Sequence, residues 1–267
     1  MKIWMLNRKR KALDRYKNNV VMGFSYYKLF SSYTGYCVKV RRSSDDATQD
    51  FGFVDGYLDT ASILAFCGAG SGYVHTWYNQ YAAGNDAIQT TLANQPRIVN
   101  SGAFEVNGIY FGGSNNLDVS TYTVIDSVIT PPLSYYINYK PNSGSGYIFL
   151  KADDAGSNKQ IGFSDQSASN VGQFYINNSA YNLTCLPSSQ NKALLNWIGT
   201  GANQASRNIN GTETLFTHNV SPLTNYTYIT LGCRMNTVSG RAAFYVGNLK
   251  TIVIASISME YNIVSKC

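Results

Sequence analysis

The chain has 267 residues, 44% of them hydrophobic and only 13% charged, with 23 Gly and 21 Tyr. That length buries a full core within one domain, and a polar balance drawn from Tyr, Asn, Ser, Thr and Gly excludes a bundle of long surface helices in favour of short strands and polar turns. The formal charge of +6 is uneven: residues 1–42 hold eleven Lys/Arg against Asp14 alone, and the remainder holds ten against fourteen acidic residues. The basic start suits an anionic partner, whereas the body has no electrostatic case for binding nucleic acid.

In chain order, Ile3-Trp4-Met5-Leu6 is too short for a signal-peptide core and precedes the charges of Arg8-Lys9-Arg10-Lys11. Residues 6–19 read as a basic helix without a clean apolar stripe, so residues 1–24 are expected to form a short N-terminal arm that docks on another chain. Residues 25–267 are expected to form one domain. Within it a short helix is marked by Asp59 as cap, by Ala61, Ile63, Leu64 and Phe66 as apolar face, and by Gly68 as terminator.

Strand and turn follow to the end. Tyr135-Tyr136-Ile137-Asn138-Tyr139 runs into Pro141-Asn142-Ser143-Gly144, and Tyr147-Ile148-Phe149-Leu150 runs into Asp153-Asp154-Ala155-Gly156, the pattern of hairpins. Further strands are predicted over 160–163, 172–176, 193–198, 205–209, 226–233, 242–246 and 249–258. Many short strands without intervening helices predict a mostly β fold, a jelly-roll β-sandwich of the concanavalin or laminin-G type. No segment approaches the roughly 20 apolar residues of a membrane span.

Chemical motifs are sparse. Gly68-Ala69-Gly70-Ser71-Gly72 has the wrong spacing for a dinucleotide loop and follows a helix, where a phosphate fingerprint must follow a strand. His75 and His218 lack Cys or His companions at ligand spacing, so neither a metal site nor a cofactor is expected. Cys37, Cys67, Cys185, Cys233 and Cys267 are odd in number and form no CxxC pair, which reads as free, mostly buried thiols made in a reducing cytosol. Five Asn-x-Ser/Thr sequons, at Asn177, Asn182, Asn210, Asn219 and Asn225, serve only as turn and strand-edge markers.

A series of separated motifs carries a resemblance. Leu29-Phe30-Ser31-Ser32-Tyr33-Thr34-Gly35 is followed by Val38-Lys39-Val40-Arg41-Arg42 and Asp45-Asp46-Ala47-Thr48-Gln49-Asp50. Then come Leu58-Asp59-Thr60-Ala61, Phe66-Cys67-Gly68, Thr76-Trp77-Tyr78-Asn79-Gln80, Gly84-Asn85-Asp86-Ala87 and Asn94-Gln95-Pro96-Arg97-Ile98-Val99. Over residues 25–120 this order resembles the catalytic domain of the fungal-type α-L-arabinofuranosidases and its relatives in phage tail and virion proteins. The latter half resembles a generic concanavalin/laminin-G-like sandwich, with Phe111-Gly112-Gly113-Ser114-Asn115-Asn116-Leu117, Tyr228-Ile229-Thr230-Leu231-Gly232 and Phe244-Tyr245-Val246-Gly247.

A retaining glycosidase needs two carboxyl groups about 5 Å apart. The hydrolytic family places its acid/base Asp shortly before an F-Y-E-G-like stretch, whereas Ser239-Gly240-Arg241-Ala242-Ala243 stands there in this chain. After Asp126 the carboxylates are Asp153, Asp154, Asp165, Glu213 and Glu260, and none lies in a motif like the family's nucleophile. The early Y-D-Q element reads Tyr78-Asn79-Gln80, an amide where the family has an ionisable group. The expectation is therefore a non-enzymatic bacteriophage virion structural protein, a head or tail fibre or decoration, assembled in the bacterial host cytoplasm. It would be homo-oligomeric, attached to other virion proteins through the basic arm, and would bind a host-surface glycan. The alternative is a glycoside hydrolase of arabinofuranosidase type. Aromatic faces stack on sugar rings while amides and carboxylates orient hydroxyls, which makes Trp77, Tyr78, Asn79, Asn85 and Asp86 the expected ligand site, with no catalytic residue assigned.

Overall fold

The computed structural model describes residues 13–266 apart from 82–83, 120–131, 143–144, 153–159, 167–170, 177–178, 185–190, 198–200, 219–227 and 236–240. The described chain is mostly β, and every strand-to-strand ladder in it is antiparallel. Nineteen strands connect through shared hydrogen bonds, which fold back into two facing layers.

The strand Leu133–Pro141 organises one layer. It pairs with Asn191–Trp197 on one side and Val246–Ala255 on the other. Beyond these lie Gly201–Ile209 and Thr212–His218 at one end, and Val20–Ser25 at the other. Strand geometry sends alternate side chains to opposite faces. Tyr135, Ile137 and Tyr139 accordingly enter the main core, while Tyr136 enters a second cluster on the outer face. Both faces are covered, so this strand is buried from Leu133 through Tyr139 and reads as an apolar run more than as an alternation.

The facing layer is built on Val38–Arg42, flanked by Thr48–Phe51 and Gly72–Trp77. It continues through Ala87–Ile88, Leu117–Val119, Tyr228–Leu231 and Ser145–Ala152. Val38, Val40, Val74, Trp77, Leu117, Ile229 and Leu231 meet Ile137, Tyr139, Leu195, Trp197, Ile252 and Ile254 in one continuous core.

Several expectations meet this architecture differently. The helix Thr60–Cys67 is capped by Asp59, whose side chain accepts from the Ser62 amide at 3.1 Å, and ends at Gly68 with φ +58°. The 145–152 and 160–166 strands form the expected ladder. Leu133–Pro141 and Ser145–Ala152, by contrast, are not a hairpin: the first pairs with Asn191–Trp197 and Val246–Ala255, the second with Gln160–Gln166 and Tyr228–Leu231, so they belong to different layers. The expected boundary between arm and domain, after residue 24, falls inside the fully buried strand Val20–Ser25. Of the expected basic helix, residues 6–12 lie outside the described residues, and residues 14–16 form a single 3-10 turn. Leu13 and Tyr16 are buried in the outer cluster with Val20, Leu29, Phe30, Tyr136, Leu194, Val253, Met259 and Val264. A short C-terminal helix, Tyr261–Val264, stands where only strand and turn were predicted. Cys37, Cys67 and Cys233 are buried and form no disulfide among the described residues, and Cys185 and Cys267 lie outside the described residues. Among the described residues no helix is long and apolar enough to cross a membrane.

Candidate functional site

The five expected ligand residues separate into a buried group and a half-buried one. Trp77 has no exposed surface; its ring lies 5.6 Å from Phe24 and 6.4 Å from Tyr26, and its backbone pairs with Val38 and Ala87. A ring so enclosed presents no face to a sugar. Asn79 is 2% exposed, and its Oδ1 accepts from the amides of Gly23 at 2.9 Å and Tyr81 at 3.1 Å. It ties the strand Val20–Ser25 to the facing layer, a task its neighbour Gln80 shares by accepting from Leu29 N and donating to the carbonyls of Ser25 and Tyr27. Asn85 is also buried.

Tyr78 and Asp86 remain at the surface, both half-buried. The Tyr78 hydroxyl donates to Asp50 Oδ1 at 2.6 Å, and its ring stands 6.2 Å from that of Tyr36, which is 54% exposed. Asp86 Oδ1 accepts from the Asn79 amide at 2.8 Å. Tyr33 closes the group from the other side, its hydroxyl donating to the Tyr36 carbonyl at 2.7 Å. Lys39 lies 3.8 Å from Asp50, and the two residues face each other in register across neighbouring strands.

Electrostatics distinguish the groups. Burial pushes the Asp86 carboxyl above the ordinary Asp value, and the Asn79 amide only partly offsets this. Burial first, then the bond to Asp50 and the nearby charges of Asp50 and Asp86, push the Tyr78 phenol upward. Burial and then the Asp86 charge do the same to Tyr33. Both carboxylates thus act on one phenol, which stays protonated and donating throughout the physiological range. His75 is shifted downward by burial and then by Lys39, so it is neutral at neutral pH. Among the described residues no group of three or more His, Cys, Asp or Glu could hold a metal ion.

The sequence reading missed Asp50, Tyr33, Tyr36 and Lys39. The signal was present in the alternation of Val38-Lys39-Val40 and Thr48-Gln49-Asp50, because antiparallel pairing of those runs sets Lys39 against Asp50. The arrangement offers exposed and half-exposed aromatic rings beside two carboxylates, one of which holds its proton more tightly than an ordinary Asp. Those are the groups that stack on a sugar ring, hold its hydroxyls and exchange a proton with it.

Residues 23–145, just under half of the chain, match the family model for the catalytic domain of α-L-arabinofuranosidase B. All of Tyr33, Tyr36, Asp50, Tyr78 and Asp86 fall within that segment. No curated protein matches the chain. Among solved structures, an arabinofuranosidase complexed with arabinofuranosyl-α-1,2-xylobiose is 14% identical, with a TM-score of 0.72 over 96% of this chain. A GH54 α-L-arabinofuranosidase soaked with a cyclic sulfate inhibitor is likewise 14% identical over 96% of this chain, with a TM-score of 0.73. This chain spans 63% of the length of each. At that identity the likeness is one of fold. The expectation of a chain without enzymatic character is overturned by the family match, because the matched model is that of a catalytic domain.

Proposed function

We propose that this chain is an arabinofuranosidase-type carbohydrate-active domain, a glycoside hydrolase by class, that engages arabinofuranosyl-bearing glycans at the face around Tyr78. The observation that carries the proposal is the match of residues 23–145 to a catalytic-domain family, with the two-carboxylate aromatic cluster inside the matched segment. This is the alternative reached from the sequence, and it takes the place of the virion structural reading.

Glycosidic cleavage needs one carboxylic acid to protonate the leaving oxygen and a second carboxylate to supply a nucleophile or activate water. In this reading Asp86 is the proton donor, since burial raises its pKa above the ordinary Asp value. Asp50, held beside Lys39 and the Tyr78 hydroxyl, is the second carboxylate. Tyr36 supplies the exposed ring against which the sugar packs.

The test is release of arabinose from an arabinose-bearing xylo-oligosaccharide, whose sugar leaving group needs protonation, by the wild type and by Asp86→Asn and Asp50→Asn. Loss of a general acid is expected to lower kcat/KM by about 100-fold or more. Turnover unchanged in both variants overturns the assignment of roles. No turnover by the wild type on arabinofuranosides or arabinose-bearing polysaccharides overturns the hydrolase reading itself.

A further inference from the structure

The outer face of the layer organised by Leu133–Pro141 carries a cleft of about 500 Å³ between the hairpin 201–218 and the segment 259–262. Its residues lie outside the segment that matches the catalytic family. The hairpin turns at Asn210-Gly211, whose φ values of 51° and 98° meet the need of a two-residue primed turn for positive φ at both positions. This turn sets the register, placing Asn208 directly opposite Glu213 on one side and Leu194 on the other. Cross-strand partners share a face, so the three side chains line the cleft together.

The opposite wall is fixed by polar contacts. Asn196 accepts from the Met259 amide at 3.1 Å and donates to the Met259 carbonyl at 3.0 Å, while the Tyr16 hydroxyl accepts from the Glu260 amide at 3.1 Å. Glu260, Tyr261 and Asn262 project from this anchored backbone into the cleft lining.

Three observations define what fits. Asn208 is 9% exposed, and its Oδ1 accepts from Gly211 N at 3.0 Å, yet its Nδ2 donor has no partner among the described residues. The Glu213 side chain makes no ion pair or hydrogen bond among the described residues, so donor and acceptor sit side by side across one ladder step. Glu260 pairs with Arg15 at 3.4 Å, which leaves Glu213 as the carboxylate of the lining that faces the cleft without an ion pair among the described residues. An amide donor, a carboxylate acceptor, a tyrosine ring and an aliphatic floor, in a volume typical of small-molecule sites, are the recognition groups for a neutral polyhydroxylated ring.

We infer that this cleft is a second carbohydrate-binding site, which takes one or two sugar units of a neutral oligosaccharide. Asn208 and Glu213 hold adjacent hydroxyls, and Tyr261 packs on the ring. The ligand class, though not the location, rests on the carbohydrate reading proposed above.

The experiment is a titration of the full chain with a neutral arabinoxylo-oligosaccharide, followed by NMR and calorimetry, for the wild type and for Glu213→Ala, Asn208→Asp, Tyr261→Ala and Asp86→Asn. Asn208→Asp keeps the oxygen that accepts from Gly211 and replaces the free donor by a carboxylate opposite Glu213, so its urea midpoint is measured beside its binding, and the Glu213→Gln, Asn208→Asp double variant removes the like-charge pair. A single shallow site is expected to bind in the millimolar range and to weaken about tenfold or more in each of the three cleft variants. Binding in the cleft is expected to survive Asp86→Asn. Cleft variants that bind like the wild type, or no saturable binding by the wild type up to tens of millimolar, overturn the inference. Absent turnover with intact cleft binding sinks only the hydrolase reading.

Discussion

The hydroxyl of Tyr78, just past the strand Gly72–Trp77, donates at 2.6 Å to Asp50, 28 residues earlier on the strand Thr48–Phe51, and this bond orients the central ring of the candidate site. Tyr78→Phe keeps the ring and removes the bond. Asp50 retains Lys39 and solvent, so the expected loss of stability is small, about 1 kcal/mol by urea unfolding. Sugar binding at this face should weaken several-fold, because the freed carboxylate and ring no longer share one geometry. Unchanged binding would remove Tyr78 from the site.

The carboxyl groups should titrate on opposite sides of the ordinary Asp value. Asp45 is drawn down to about 2, first by its hydrogen bonds from Arg42 and then by the Ala47 amide, whereas burial lifts Asp86. For Asp45 the folded-state pKa is depressed, so its contribution is present above the unfolded value and is lost as pH falls through about 2. For Asp86 the folded pKa is raised, so the folded state gives up stability as pH rises through that value. Asp86→Asn is therefore expected to raise the melting temperature at pH 7 and to match the wild type below about pH 3.9. Carboxyl 13C NMR reads both titrations directly, and an Asp86 midpoint at or below the ordinary value would refute its assignment as proton donor.

Trp77 and Asn79 should behave as core and strut. Trp77→Ala empties a fully enclosed position between Phe24 and Tyr26 and is expected to cost about 4 kcal/mol. Asn79→Ala strands the Gly23 and Tyr81 amides, at an expected cost of about 3 kcal/mol. Chemical denaturation measures both. If either variant kept wild-type stability while losing sugar binding, its side chain would belong to the ligand site instead.

The start of the chain should prove part of the fold. Leu13 is fully buried against the outer face of the sheet, and Tyr16 holds the Glu260 backbone. Leu13→Ala is expected to destabilise the domain by about 3 kcal/mol, and deletion through residue 19 to do so by more. A deletion that left the melting temperature unchanged would restore the picture of an independent arm.

What the sequence determined by itself was the local grammar. Asp59 and Gly68 bounded the helix, since capping and positive φ are set by the residues at those positions. Most strands after Leu133 can be read from β-branched and aromatic runs between turn residues, and the sequence offers Tyr78 and Asp86 as candidate ligand residues. Pairing was another matter. Whether Leu133–Pro141 met Ser145–Ala152 in a hairpin or crossed between layers depended on which faces found apolar partners far along the chain, and local pattern carries no term for that. The same holds for Trp77, whose aromatic ring suits a sugar platform or a core equally well until tertiary packing encloses it. Asp50 joined the site only because antiparallel pairing carried it to Tyr78. The cleft around Asn208 and Glu213 exists only because Asn196 and Tyr16 hold the C-terminal segment against the sheet. Long-range burial and cross-strand register decided these features, and both are properties of the folded chain as a whole.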